Sequence, residues 1–163
     1  MRRGIILGLR NFHLNQEEIR EKFFSCQGRL NRRPFIMRLF GVIVFFTFVA
    51  MVLYSICFSL LGNKTLADGT AMIVSVIEVV SIYTLVTRRL HDLGYGRGLA
   101  IVYLILGILQ PFLFKTIEGM PEDSMESEVV QALNMFVMLL IVCLMLIRGK
   151  RGDNAYGEDP LGR

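Results

Sequence analysis

Four long stretches without a formal charge, or with a single one, dominate this chain and leave very few ways for it to fold. Leu39 to Leu61 is 23 residues with no charge, and Val129 to Ile147 is 19 residues with none. At 1.5 Å per residue, the first reaches roughly 34 Å as a helix, enough to cross a hydrocarbon core of about 30 Å. Thr70 to Thr87 is 18 residues with one ionisable group, Glu78, and just spans. Leu99 to Phe114 is only 16 residues, so it must borrow from 95–98, lie in thinned lipid or re-enter. In hydrocarbon every backbone donor and acceptor needs a partner within its own segment or a closed barrel. The apolar runs do not alternate, which excludes the barrel. The predicted fold is therefore all-α: an integral membrane bundle of four transmembrane helices over 39–147, a segment 1–38 before it and a tail 148–163 after it.

The charges fall between these blocks. Residues 1–38 hold Arg2, Arg3, Arg10, Arg20, Lys22, Arg29, Arg32, Arg33 and Arg38; the link 88–98 holds Arg88, Arg89 and Arg97; the tail holds Arg148, Lys150, Arg151 and Arg163. The other two links hold only Lys64 and Lys115 as cations; the first also carries Asp68, and the second carries Glu118, Glu122, Asp123, Glu126 and Glu128. By the positive-inside rule both termini and the middle link face the cytoplasm, which predicts a multi-pass protein of a bacterial inner membrane. The net charge of +4 is then a determinant of topology and of attraction to anionic lipid heads, not a nucleic-acid signature. The apolar run Ile5 to Leu9 is closed by Arg10 and is too short for a cleaved signal. Within 1–38, Asn15 and Glu18 have capping-box spacing, and Ile19 and Phe23 share a helical face beside Phe24, predicting a short amphipathic helix on the inner surface.

Three polar motifs lie on the predicted cytoplasmic side. In Gly28-Arg29-Leu30-Asn31-Arg32-Arg33-Pro34-Phe35, Asn31 can cap a helix with Pro34 in its first turn, and the arginines can reach phosphates or simply snorkel to lipid heads. In Arg88-Arg89-Leu90-His91-Asp92-Leu93-Gly94, the second helix continues past the membrane surface and Gly94 supplies its left-handed ending. His91 and Asp92 side by side make weak evidence for a metal or a catalytic pair, because neighbours on a helix diverge by about 100° and the chain has only one other histidine, His13. The expected use is Asp92 accepting bonds from arginines. In the tail, Asn154, Gly157 and Asp159-Pro160 are turn formers, so it should be a compact loop resting on the arginines of the other segments. Cys26, Cys57 and Cys143 have neither disulfide nor zinc spacing.

Taken together, the trio Gly-Arg-x-Asn/Ser-Arg-x-x-Phe, Arg-Arg-Leu-His-Asp-Leu-Gly and Asn-x-Tyr/Phe-Gly-x-Asp-Pro resembles the family called domain of unknown function 805, small bacterial inner-membrane proteins with four predicted spans. The resemblance covers roughly residues 22–160. It departs from the family pattern where Ile36 replaces a tryptophan and Gly96-Arg97-Gly98-Leu99 replaces a Ser-Gly-Trp, in a chain with no Trp. It implies the topology and the grouping of motifs, and no activity.

The leading expectation is a membrane protein with no catalytic residues, cofactor or metal, whose cytoplasmic face binds an anionic lipid head, a phosphorylated ligand or an acidic partner segment. Arg29, Arg32, Arg88 and Arg89 would contact phosphate; Asp92, Asn154 and Asp159 would orient them, with Asn31, His91 and Gly157 completing the site. Anionic membrane lipids are the expected partners, nucleic acid is not, and a protein partner or a second copy stays open. The alternative is a small transporter or channel component using Glu78, flanked by Ser75 and Ser81 as an intramembrane polar stripe. Gln110 and Asn134 could pair between helices, and Pro111 interrupts the third helix.

Overall fold

A computed structural model describes residues 25–117 and 124–162. The amphipathic helix expected over 15–24 lies outside these residues, as do Glu118, Glu122 and Asp123. The described chain is all-helical, with a lone bridge between Asn154 and Gly157 as its only β pairing. Four helices follow one another: α1 (Arg32–Ser55), prolonged by a π-helical turn (Ile56–Leu60), α2 (Lys64–Leu93), α3 (Gly98–Ile117) and α4 (Met125–Leu146). All four are long and apolar enough to cross a membrane. The third segment thus reaches spanning length by starting at Gly98 and running to Ile117, 20 residues or roughly 30 Å.

Local chemistry sets the helix ends. Asn31 has extended backbone and its side chain accepts from the Arg32 N–H at 2.7 Å, while its carbonyl starts the helical ladder by accepting from Phe35. The first helix therefore begins at Arg32, not at the apolar boundary Leu39. Asn63 caps α2 by accepting from Leu66 N–H at 2.9 Å, and Ser124 caps α4 through Ser127 N–H at 3.2 Å. At the other end of α2, Gly94 takes the left-handed conformation (φ +84°), with its own N–H on the His91 carbonyl and that of Tyr95 on Leu90. With 30 residues, α2 is roughly 45 Å long, more than a hydrocarbon core of about 30 Å requires.

The helices alternate in direction, and each packs on its neighbours in sequence, with α4 returning to touch α1 and α2. Phe35, Leu39 and Val42 of α1 meet Ile82, Leu85, Val86 and Leu90 of α2, Ala100 and Tyr103 of α3, and Leu144 of α4. These residues come from the start of α1, the end of α2, the start of α3 and the end of α4, so the main core sits at one end of the bundle. That is the end bearing the three motifs. Lower down, Gly107 lets α3 approach α2, since a Cβ there would stand 2.7 Å from the Val79 Cγ1. Phe40, Val44, Phe48, Met51, Ile73, Ile105, Leu139 and Val142 face outward, as lipid-facing positions do. Such helices gain little from transferring apolar groups out of lipid, so close packing and polar bonds must hold them together.

Candidate functional site

Four C-terminal carbonyls of any helix lack partners within it, and the negative end of the helix dipole lies there. The last turn of α4 contains no basic residue. The cations come instead from two other segments. Arg89, near the end of α2, donates from Nε to the Leu144 carbonyl at 2.9 Å and from Nη2 to the Ile147 carbonyl, and Arg32 donates to the Leu146 carbonyl at 3.3 Å. The remaining Arg89 nitrogen, Nη1, bonds the Leu30 carbonyl at 3.3 Å and the Asp92 carboxylate. Arg89 is fully buried.

Arg29 does for the tail what Arg89 does for α4. Its Nη2 donates to the Lys150 carbonyl at 2.5 Å and its Nη1 to the Gly152 carbonyl at 2.6 Å, with the Gly157 carbonyl at 3.4 Å. Its Nε reaches Asp92 Oδ1 at 3.3 Å. Asp92 therefore lies between two guanidinium groups, one on each carboxylate oxygen, and is itself buried. A carboxylate this deep is tolerable only because both oxygens accept charge-assisted bonds. The pair of cations leaves one positive charge over, which is spread across carbonyls at the α4 terminus and along the tail.

The main chains of all three motifs are also joined. Leu30 N–H donates to the Arg88 carbonyl at 3.0 Å and Lys150 N–H to the Asp92 carbonyl at 2.9 Å. Gly149 passes so close to the Asp92 carboxylate that a Cβ at that position would collide with it. The His91 ring stacks on Tyr156, centroids 4.0 Å apart and planes 4° from parallel, with Nδ1 3.3 Å from the Gly28 carbonyl. Asn154 donates to the His91 carbonyl at 2.9 Å and accepts from the Tyr156 N–H, while Asn154 and Gly157 exchange two backbone bonds of 3.1 Å. Asp159 accepts from the Gly152 and Leu161 N–H groups, and Asp153 accepts from that of Asp159. The tail is thus a compact loop, as its turn residues predict.

All ten motif residues singled out in the sequence, Arg29, Asn31, Arg32, Arg88, Arg89, His91, Asp92, Asn154, Gly157 and Asp159, fall in these three joined segments. The roles given to two of them change. Arg29 and Arg89 were expected to contact phosphate, but each nitrogen of both guanidinium groups already meets a protein acceptor, and Arg89 has no exposed surface. Asp92 does orient arginines, toward carbonyls of this chain. Asn31 works as a helix cap and Arg88 is half-buried. Cations on the outside of this end are Arg33, Arg97, Arg148, Lys150 and Arg151. In the tail, Asp153 and Asp159 accept from backbone N–H groups.

Glu78, Ser75 and Ser81 lie elsewhere, in the middle of α2. Ser75 and Ser81 each donate back into their own helix, to the Ala71 and Ile77 carbonyls at 2.9 and 2.8 Å, and Ser81 is buried. Glu78 and Ser75 line a cavity of about 350 Å³ that also has Tyr103, Gln110 and Phe114 in its wall. Gln110 and Asn134 pair as expected, Gln110 Nε2 donating to Asn134 Oδ1 at 2.5 Å. Three participants escaped sequence reasoning. Tyr156 belongs to a quoted motif but has no signal for a ring partner 65 positions away in the chain; Gly149 reads as an ordinary turn residue; Tyr103, a hydroxyl within an apolar block, is the one whose oddity could have drawn notice.

Comparison with known proteins agrees with the motif pattern. Two proteins called "Uncharacterized protein YiiR", from Escherichia coli K12 and Escherichia coli O157:H7, are each 27% identical to this chain over 146 residues, covering 86% of it and 89% of the relative. No solved structure matches. The family described as "Protein of unknown function (DUF805)" matches residues 23–158, a region that holds all four helices, the first two motifs and the third as far as Glu158, and the chain belongs to that family.

Proposed function

We propose that this is a multi-pass protein of the bacterial inner membrane, with both termini cytoplasmic, that acts by binding and not by catalysis. Its motif end is a rigid platform laid against anionic lipid head groups. The observation that carries this reading is the division of labour among the cations: Arg29 and Arg89 are spent inside the platform, while Arg33, Arg97, Arg148, Lys150 and Arg151 stay exposed around it. The exposed five come from the start of α1, the start of α3 and the tail, so they gather on one surface only because the buried cluster brings those segments together. Cations placed at a bilayer surface attract anionic lipid at about 1 kcal/mol each. The positive-inside distribution supports the cytoplasmic orientation.

The experiment compares binding of phosphatidylglycerol and phosphatidylcholine by native mass spectrometry of the detergent-solubilised protein. The wild type should retain phosphatidylglycerol preferentially, and Arg33→Gln, Arg97→Gln and Arg151→Gln combined should lose most of that preference while unfolding at the wild-type temperature. Equal retention of the two lipids by the wild type would sink the reading.

A further inference from the structure

The end of the bundle opposite the motifs is built differently. There all four helices contribute to one wide recess of about 930 Å³: Tyr54 from α1; Lys64, Asp68 and Ser75 from α2; Phe114 and Lys115 from α3; and Ser127 from α4, among others. Ser75, Pro111 and Phe114 line both this recess and the 350 Å³ cavity at Glu78, so the two adjoin. The result is a funnel running from the far end to the middle of α2. Beyond Glu78, Leu85, Val86 and Leu90 of α2 pack against Phe35 with almost no exposure, and past them lies the Arg29–Asp92–Arg89 cluster. The funnel is closed at its base.

The chemistry of the base is asymmetric. Glu78 has no hydrogen bond or salt bridge to another described residue, and the groups around it are the Tyr103 hydroxyl, the Gln110 amide, the Phe114 ring and the aliphatic Val79 and Ile82. The hydroxyls of both nearby serines donate hydrogen bonds to carbonyls of their own helix. An acid that faces a cavity with no cation of its own is complementary to a cation from outside. One carboxylate, one amide and a hydroxyl fall short of the six to eight oxygens that calcium takes. An ammonium needs only two or three acceptors, and its carbon body suits aromatic and aliphatic walls. At the mouth, Lys64 is paired with Asp68 at 3.1 Å, and Lys115 is the other cation among the described lining residues.

We propose that this funnel is a one-sided binding site for a small primary ammonium with an apolar body, entered from the end opposite the motifs, with Glu78 holding the charge and Tyr103 and Phe114 flanking the body. This is independent of the lipid platform at the other end.

The test uses benzylammonium and its neutral isostere benzyl alcohol, titrated calorimetrically into the full-length protein in a neutral detergent. The wild type should bind benzylammonium at least about tenfold more tightly than benzyl alcohol, the discrimination expected when a charge meets a counter-charge that has no other partner. In Glu78→Gln the two probes should become equal. Failure of the wild type to bind benzylammonium, or equal affinity for both probes, overturns the site, and this comparison stands even if Glu78→Gln does not fold. Undiminished discrimination in a folded Glu78→Gln also overturns it. Arg33→Gln combined with Arg97→Gln and Arg151→Gln should leave benzylammonium binding unchanged, which separates this result from that of the platform.

Discussion

At the scale of single residues, the motif end illustrates how burial changes what an arginine is for. A guanidinium carries five N–H donors in a fixed fork, and in Arg89 and Arg29 the fork is aimed at carbonyls that helix α4 and the tail could not satisfy themselves. Asp92 then serves as the common counter-charge. Lysine, a point charge without the fork, could not replace either. Gly149 belongs to the same arrangement, because only a residue without a Cβ can bring the tail backbone so near the Asp92 carboxylate. Gly149→Ala must therefore push the carboxylate off its arginines or the tail off α2. The expected cost is about 1–3 kcal/mol, typical of overpacking, read as a lower midpoint in thermal unfolding of the solubilised protein; Gly98→Ala, where φ is not left-handed and a Cβ would meet nothing within 4 Å, serves as the comparison without a collision.

At the scale of elements, much was legible beforehand and some was not, for reasons that can be stated. Hydropathy and length gave four helices because lipid admits no other backbone solution for unbroken apolar runs. The ends were less legible: α1 starts at Arg32 and α2 runs from Lys64 to Leu93 because caps and charged turns extend a helix well past its apolar block. Asn31, Pro34 and Gly94 announced those ends, each by a local property that does not depend on the fold. The internal use of Arg29 and Arg89 was not legible, since exposed and buried arginines look alike in a sequence and the deciding acceptors are main-chain carbonyls with no sequence signature. The hydroxyls of Ser75 and Ser81 were equally illegible: a helical serine can always bond its own i−4 carbonyl, and both do. Capping supplies a test at this scale. Asn31→Ala should cost about 1 kcal/mol and fray the first turn of α1, with faster hydrogen exchange at Arg32 and no change at the Asn63 cap of α2.

At the scale of the molecule, the bundle has one welded end and one open end. The welded end joins residues 28–35, 88–94 and 148–160 through Asp92 and two arginines, and it coincides with the main apolar core. The open end holds the recess that leads to Glu78. Where helices gain little from leaving lipid, a few buried polar bonds carry a large share of the specificity for one arrangement, and losing one partner of a buried pair is expected to cost about 3–5 kcal/mol. A double-mutant cycle on Arg29 and Asp92, which lie 63 positions apart, reads that weld directly. Unfolding free energies of wild type, Arg29→Gln, Asp92→Asn and the double variant should show the double losing less than the two singles together by about 0.5–3 kcal/mol, the coupling of residues in contact. Losses that simply add would mean that the first motif and the end of α2 do not meet, and the platform would have no foundation.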